Sequence, residues 1–203
     1  MAVKRQQKRR AEVHFIAPMK ATLVSAPPPQ GDWLYELKFD GFRTIAVKNG
    51  PDVQLYSRNA KEFTARFPEI AEAVADLSID TAVLDGEIVA VDEEGRTSFQ
   101  LLQGIDLGQR PPIFFYVFDL LNESGTDLVD LPLHERRERL SHVLSEAPPL
   151  IRYSSEISGD PKKLLEEVRR RGLEGIIGKE RNSMYEVDRR SRCWVKLKCA
   201  YEQ

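Results

Sequence analysis

The sequence of 203 residues has few of the features that mark secreted or zinc-binding proteins. Its two cysteines, Cys193 and Cys199, have five residues between them. This spacing is not typical of a zinc site, and two thiolates cannot fill a tetrahedral site alone. We therefore expect two reduced thiols, as in a cytosolic protein.

Long apolar segments and a large excess of positive charge are also missing. No run of about eighteen residues is apolar, and no apolar segment follows the basic N-terminus, so neither a membrane span nor a secretory signal is predicted. The net charge is −2, whereas a protein that binds DNA through its overall charge is usually strongly basic. Contact with nucleic acid would therefore need a local basic patch. A Walker A sequence is missing too, which excludes a P-loop phosphate site.

What is present is the composition of an ordinary globular domain, with 41% hydrophobic and 31% charged residues. Strand-like segments predominate, and they occur at 33–39, 42–48, 53–57, 81–91, 112–121, 176–179 and 194–198. Helical spacing is found at 65–77, 133–145 and 161–171. Asn49-Gly50 predicts a hairpin turn, and Gly172 is placed to end the last helix. Regular βαβ units are few, so the predicted fold class is α+β, with antiparallel sheets flanked by helices.

The segment from Glu36 to Gly41 contains a candidate nucleophile. If it is a strand, Glu36, Lys38 and Asp40 share one face, and Leu37 and Phe39 point into a core. A lysine between two acids is either an ion-pair partner or a nucleophile. As a nucleophile it must lose a proton, although the ordinary pKa of a lysine is about 10.4. Nearby cations or a bound metal would assist that loss.

A second candidate region lies near the end of the chain, where Lys196 and Lys198 would share one face of a strand. Two like charges so placed repel each other unless an anion lies between them, and a triphosphate is a natural partner. Charged edge strands also carry lysines to block aggregation, so this pair alone decides nothing.

Short motifs that include these segments occur in a characteristic order. They are Lys38-Phe39-Asp40-Gly41, Asp85-Gly86-Glu87, Phe118-Asp119-Leu120-Leu121, Glu174-Gly175-Ile176-Ile177-Gly178-Lys179 and Lys196-Leu197-Lys198. Together they resemble the motifs of the covalent nucleotidyltransferase superfamily, which comprises DNA ligases, RNA ligases and mRNA capping enzymes. One K-x-D-G is common by chance, whereas the whole ordered set is not. The resemblance implies that superfamily's fold, with a nucleotide pocket between antiparallel sheets.

Other segments narrow the resemblance. Residues 15–19, the continuation of Asp85-Gly86-Glu87 to Val89, and residues 98–103 are similar to bacterial end-joining ligases of the ligase D type. The similarity covers nearly the whole chain after about residue 13. It implies an ATP-dependent DNA ligase that acts on nicked or broken double-stranded DNA in nonhomologous end joining. It also implies Ku and polymerase or phosphoesterase modules as partners, a monomer, and a place in the bacterial cytoplasm at the nucleoid.

The resemblance assigns roles by motif at the nucleoside end of the pocket. Lys38 attacks the α-phosphorus of ATP and becomes lysyl-AMP, with release of pyrophosphate. Glu36 contacts the exocyclic amine of adenine, and Phe118 stacks on the base. Arg43 and Glu87 contact the ribose.

At the phosphate end, Lys196 and Lys198 contact the α-phosphate, and Glu174 is associated with Mg²⁺ or Mn²⁺. Arg58 grips the 5′-phosphate of the nick. Lys179 matches its motif in the nucleotide pocket without a defined role. If residues 174–179 all alternated in one strand, Glu174 and Lys179 would lie on opposite faces of the sheet. We therefore expect Glu174 to lie just before the strand, with the change of backbone direction at Gly175.

The predicted domain organisation is a basic tail or linker at 1–13 followed by an adenylation domain at 14–203. The basic run at 4–10 is either a solvated tail or an arm that touches nucleic acid. In DNA ligases an oligonucleotide-binding (OB) domain follows the K-x-K strand, and we expect that domain to be absent from this chain. The chain is then expected to bind ATP or retain AMP but to seal nicks poorly.

Other readings remain open at this point. An RNA ligase or a capping-type nucleotidyltransferase would share the motifs, and ATP against GTP labelling would separate them. An NAD-dependent enzyme would need a further domain to read the nicotinamide half. A catalytically silent module that binds DNA or protein would keep the fold and form no adenylate.

Overall fold

The computed structural model describes residues 12–199. The basic run at 4–10, which the sequence predicts as a tail or an arm, lies outside the described residues. Within the described part of the chain, no helix is long and apolar enough to cross a membrane.

The strands form two sheets. The small sheet has the order β1-β10-β9-β2, and its strands are β1 (Lys20–Leu23), β2 (Trp33–Leu37), β9 (Gly175–Glu180) and β10 (Arg190–Lys198). The large sheet has the order β4-β3-β5-β6-β7, and β8 also pairs with β6. Its strands are β3 (Phe42–Asn49), β4 (Asp52–Ser57), β5 (Thr81–Ala90), β6 (Ile113–Glu123), β7 (Thr126–Asp127) and β8 (Ile151–Tyr153). Apart from the parallel pairs β1–β10 and β6–β8, the pairing is antiparallel.

The helices lie singly between the strands, as the sequence predicts for an α+β fold. They are α1 (Pro68–Ala75), α2 (Phe99–Gly104), α3 (Leu133–Val143) and α4 (Pro161–Arg170). The predicted helix at 65–77 is in fact a 3₁₀ turn at Thr64–Arg66 followed by α1. Pro68 causes the break, because a proline disfavours the helical conformation in the residue before it, and Phe67 has φ −133° and ψ 57°.

Turn residues end several elements at or beside the positions that the sequence predicts. A hairpin follows β3 as predicted, but its loop is Gly50-Pro51, one residue later than Asn49-Gly50, because Asn49 still belongs to β3 and pairs with Asp52. The side chain of Asp160 accepts hydrogen bonds from two backbone N–H groups of the first turn of α4. Gly172 follows α4 with φ +69°, which supplies the left-handed conformation that often ends a helix. The elements β1, α2, β7 and β8 are short, and their sequences do not predict them.

Three apolar clusters hold the layers together. The largest lies between the large sheet and its helices, and includes Phe67, Ile70 and Phe115. A second joins the two sheets, and it contains Met19, Leu34, Ile45, Val47, Val83, Phe118 and Trp194 among others. A third packs α4 against the small sheet through Val168 and Ile176. Side chains on the inner faces of both sheets can therefore reach the space between them, beside the second cluster.

Candidate active site

A cavity of about 470 Å³ lies between the sheets. It is lined by residues that the motifs single out, namely Glu36, Lys38, Arg43, Arg58, Glu87, Phe118, Lys179 and Lys196. Two predicted site residues, Glu174 and Lys198, are not among the lining residues, but Glu174 forms an ion pair with Lys38. Segments separated by up to 160 positions in the chain thus converge on one space.

Lys38 lies one residue beyond the end of β2. Its backbone N–H donates to the carbonyl oxygen of Gly175 at 2.9 Å, so pairing with the neighbouring strand extends to this residue. Its amine donates to the carboxylate of Glu174 and lies 3.4 Å from the carbonyl oxygen of Phe39. The side chain is 18% exposed, which leaves the amine accessible from the cavity.

The predicted alternation through residues 36–40 is wrong beyond Leu37, because β2 ends there. Phe39 lines the cavity and stacks on Tyr116, with ring centroids 4.3 Å apart, and does not enter the core with Leu37. The carboxylate of Asp40 accepts a hydrogen bond from the backbone N–H of Phe99 at 3.4 Å, at the start of α2. Asp40 therefore orders a neighbouring helix and does not share the polar site of Lys38.

Glu174 immediately precedes β9, as the sequence predicts, and Gly175 makes the change of direction. Gly175 has φ +153°, and a Cβ atom there would lie 2.0 Å from the carbonyl oxygen of Leu197. Only glycine permits this close approach of β9 to β10. The arrangement brings Lys198 within 3.4 Å of the Glu174 carboxylate, so Glu174 lies between the amines of Lys38 and Lys198.

Glu36 is buried and bound on both carboxylate oxygens. One oxygen accepts from Arg137, and the other accepts from Lys179 at 2.9 Å and from the Ser154 hydroxyl at 3.1 Å. The Lys179 amine also lies 4.2 Å from the centroid of the Phe118 ring. Burial lowers the pKa of Lys179 to about 8, although the charge of Glu36 acts in the opposite direction. Lys179 thus forms a buried ion pair with Glu36, a contact that the motif alone does not predict.

Arg43 is fixed by Asp85. Its guanidinium donates to the two carboxylate oxygens at 2.5 and 2.6 Å, and the Tyr185 hydroxyl donates to the same carboxylate at 2.6 Å. The guanidinium also lies over the Phe118 ring, 4.6 Å from its centroid. Burial is the largest single effect and acts to lower the pKa of Arg43. The charge and hydrogen bonds of Asp85, together with the charges of Tyr185 and Glu87, outweigh it and raise the pKa, so the side chain stays charged.

Glu87 is half-buried in the cavity wall. Burial raises the pKa of its carboxyl to about 7, against the opposing charges of Arg43 and Lys38. Near neutral pH this group therefore changes charge beside the candidate nucleophile.

Replacement of Glu87 by glutamine is expected to change how stability depends on pH. The folded protein holds its proton up to about pH 7, whereas an unfolded glutamate loses it near its usual value of 4.5. The free energy of unfolding of the wild type should therefore fall as pH rises from about 4.5 through 7. Glu87→Gln lacks the titrating carboxyl, so its free energy of unfolding should not show this fall. Urea unfolding at pH 5 and pH 8 should show the variant gaining more than about 1 kcal/mol relative to the wild type, since one pKa unit is about 1.4 kcal/mol. Parallel stability curves for the two proteins would contradict the assignment.

The opposite wall of the cavity is positively charged. Lys196 lies near Arg190, Lys38, Lys198 and Arg58, and its pKa is lowered by burial first and then by these cations. Such crowding is unfavourable without an anion. Lys196 lines the cavity directly, whereas the side chain of Lys198 is 51% exposed and contacts Glu174. The two lysines therefore differ in position and exposure, although the sequence predicts that they share one face of a strand.

Comparison with known proteins assigns the chain to a family. A family model described as ATP dependent DNA ligase domain matches residues 18–198. The chain belongs to the ATP-dependent DNA ligase family. The family resemblance predicted from the ordered motifs is confirmed.

Relatives of this ligase domain include end-joining proteins. The multifunctional non-homologous end joining protein LigD of Pseudomonas aeruginosa is 43% identical over 192 residues, which are 93% of this chain and 22% of that protein. The crystal structure of the ligase domain from M. tuberculosis LigD superposes with a TM-score of 0.78 at 32% identity and covers 90% of this chain and 60% of that one. A mycobacterial DNA ligase D complexed with ATP and MES gives the same values. The predicted fold class is confirmed, and the chain spans 22% and 26% of the length of two LigD relatives, from Pseudomonas aeruginosa and Mycolicibacterium smegmatis.

Sequence reasoning misses several residues that shape the site of this ligase domain. Arg137 binds Glu36, and Tyr185 binds Asp85. A signal for Arg137 does exist, because α3 places Leu133, Arg137 and Leu140 at the spacing of one buried face. An arginine on the inner face of an amphipathic helix indicates a buried anionic partner. The hydroxyl of Tyr185 has no comparable signal in the sequence.

Proposed function

We propose that this chain is the adenylation domain of an ATP-dependent DNA ligase and that Lys38 takes AMP from ATP. The observation that carries the proposal is the position of the Lys38 amine. This amine faces a cavity. The buried carboxylate of Glu36 and the ring of Phe118 line one side of the cavity, and a cluster of cations around Lys196 lines the other. This arrangement matches the polarity of a nucleoside triphosphate.

The proposed pose of the nucleotide follows from these walls. Adenine lies against Phe118, with its exocyclic amine toward Glu36. The ribose lies near Arg43 and Glu87. The α-phosphate lies beside Lys196, where its negative charge relieves the crowding of cations. The ATP complex of the mycobacterial relative supports ATP as the nucleotide.

The proposed reaction is transfer of the adenylyl group to nitrogen. The lone pair of the Lys38 amine attacks the α-phosphorus, an N–P bond forms, and the P–O bond to pyrophosphate breaks. The ammonium group, which is ion-paired with Glu174, first loses a proton to that carboxylate or to solvent, and the nitrogen loses a second proton to solvent as the N–P bond forms. Phosphoryl transfer depends mainly on alignment and on neutralised charge, which the fixed lysine and its cationic neighbours supply.

A divalent metal fits this site only in company with the substrate. Within residues 12–199, no group of three or more His, Cys, Asp or Glu side chains could hold a metal ion by itself. Glu174 lies close enough to Glu87 that its negative charge adds a small contribution to the effect of burial, which raises the pKa of Glu87. One or two carboxylates together with substrate phosphates are a usual environment for Mg²⁺. When bound, Mg²⁺ or Mn²⁺ would neutralise phosphate charge, with Glu174 as its protein ligand.

The later steps are also proposals. AMP passes from Lys38 to the 5′-phosphate of a DNA nick or break, and the 3′-hydroxyl then displaces AMP and seals the strand. Arg58, exposed at the rim of the cavity, is positioned to bind that 5′-phosphate. The names of the end-joining relatives support double-strand break repair as the setting, with Ku and polymerase or phosphoesterase modules as candidate partners.

The test is intact-mass measurement after incubation with ATP and Mg²⁺, followed by peptide mapping. We expect an added AMP on the peptide that contains Lys38, and no added GMP after incubation with GTP. An adduct on another residue, or labelling by GTP alone, would overturn the proposal. If no adduct forms, equilibrium binding of ATP decides, and failure to bind ATP would also overturn it.

A further inference from the structure

Arg137 connects the two residues that the proposed function places around adenine. One nitrogen of its guanidinium donates both to the carboxylate of Glu36 and to the carbonyl oxygen of Phe118, the latter at 3.2 Å. The other terminal nitrogen donates to the carbonyl oxygen of Ser154 at 2.9 Å. The side chains of Arg137 and Glu36 are 7% and 3% exposed, so water does not compete for these bonds.

This contact crosses from one sheet to the other. Glu36 belongs to β2 of the small sheet, and Phe118 belongs to β6 of the large sheet. Arg137 comes from α3, which contacts β6. A planar guanidinium presents several donors in a rigid fork, so one side chain can fix the relative positions of three acceptors. The single ammonium group of Lys179 has no such rigid fork.

The hydrogen bonds of Glu36 leave limited room for a ligand. A carboxylate has about four acceptor sites. Arg137, Lys179 and Ser154 occupy three of them with one bond each. One acceptor site remains, which suits one N–H of an exocyclic amine. Adenine presents such a donor at position 6, whereas guanine presents an acceptor oxygen there.

We propose that Arg137 is a positioning residue that makes the pocket selective for a purine with a 6-amino group. It fixes the Glu36 carboxylate so that its remaining acceptor site faces the base plane set by Phe118. Without Arg137, one oxygen of Glu36 loses the only hydrogen-bond donor that it has within residues 12–199, and the carboxylate can turn toward Lys179. The inference rests on the proposed function, because it requires adenine to lie between Glu36 and Phe118.

The experiment compares the binding of ATP with that of purine riboside 5′-triphosphate, which lacks the 6-amino group. Equilibrium Kd values are measured in EDTA, so that AMP is not transferred, for the wild type, Arg137→Lys and Arg137→Met. The wild type is expected to prefer ATP by about tenfold or more, as for a hydrogen bond to a charged group. In Arg137→Met the preference should fall toward one through weaker ATP binding. Arg137→Lys keeps the charge without the fork, so its preference should be intermediate.

Arg136 provides the matched control, because it lies on the same helix and is also buried but pairs with Asp119. Arg136→Lys should keep the wild-type preference for ATP. If circular dichroism shows that Arg137→Met does not fold, Arg137→Lys alone decides. An unchanged preference in the Arg137 variants, an equal loss in Arg136→Lys, or a wild type without preference would each overturn the inference. Failure of the proposed function would be distinct, since the AMP adduct would map to a residue other than Lys38 while the Kd ratio still depended on Arg137.

Discussion

Replacement of Lys38 by alanine is expected to reduce transfer of AMP to the protein by about 10⁴-fold or more, as when a covalent nucleophile is removed. The reason is geometric. Among the lysines that line the cavity, Lys179 has a pKa lowered to about 8, which by itself would make it the better nucleophile. Its amine is held by Glu36 and lies 4.2 and 4.3 Å from the ring centroids of Phe118 and Trp194, where a phosphate cannot approach.

The measurement is intact mass after incubation with ATP and Mg²⁺. Lys38→Arg should also fail to form the adduct, because its guanidinium stays protonated, while ATP binding remains in both variants. Lys163→Ala, which removes an exposed lysine of α4, should label as the wild type does. An adduct that persists in Lys38→Ala and maps to Lys179 would show that the low pKa, and not the position at the cavity, selects the nucleophile.

The predicted and observed structures agree where the local sequence decides the conformation. The alternating segment that begins at Trp33 does form a strand, and a hairpin does form at Gly50, although its loop is Gly50-Pro51 and Asn49 remains in β3. The motif residues converge because each lies in, or directly beside, a strand of one of two packed sheets. The position of Glu174 just before β9 could also be predicted, because strict alternation within one strand would have put Glu174 and Lys179 on opposite faces.

Predictions fail where contacts distant in the sequence decide the outcome. Alternation predicts a face only while the strand continues, and β2 ends at Leu37, so Asp40 turns toward Phe99 of α2. The partners Glu36 and Arg137 are 101 residues apart, and no local pattern connects them. The pairing of Lys198 with Glu174 likewise depends on the register of β10 against β9. Motif spacing therefore identifies the members of the site but not the bonds between them.

Replacement of Arg136 by methionine is expected to destabilise the fold by about 3–5 kcal/mol, the cost of leaving a buried charge without its partner. The side chains of Arg136 and Asp119 are both fully buried and form two parallel hydrogen bonds of 2.8 Å. Urea unfolding followed by circular dichroism measures the change. In a thermal scan the loss should appear as a fall in Tm of about 6–20 °C, at about 2–4 °C per kcal/mol for a chain of this size.

The paired variant Arg136→Met with Asp119→Leu separates charge from packing. Loss of one partner leaves a charge in the interior, whereas loss of both does not, so the pair should recover more than half of the lost stability. Recovery should be incomplete, because Arg136 also donates to the carbonyl oxygens of Leu131 at 2.6 Å and Ser183 at 3.1 Å. The carbonyl oxygen of Leu131 would be left without a hydrogen-bond donor among the described residues, at a cost of about 1–3 kcal/mol when no water reaches it, whereas that of Ser183 keeps the hydrogen bond from the Leu133 N–H. A paired variant no more stable than Arg136→Met alone would show that these carbonyl contacts, and not the ion pair, make Arg136 necessary, because they hold α3 against the loop before it and the loop after β9.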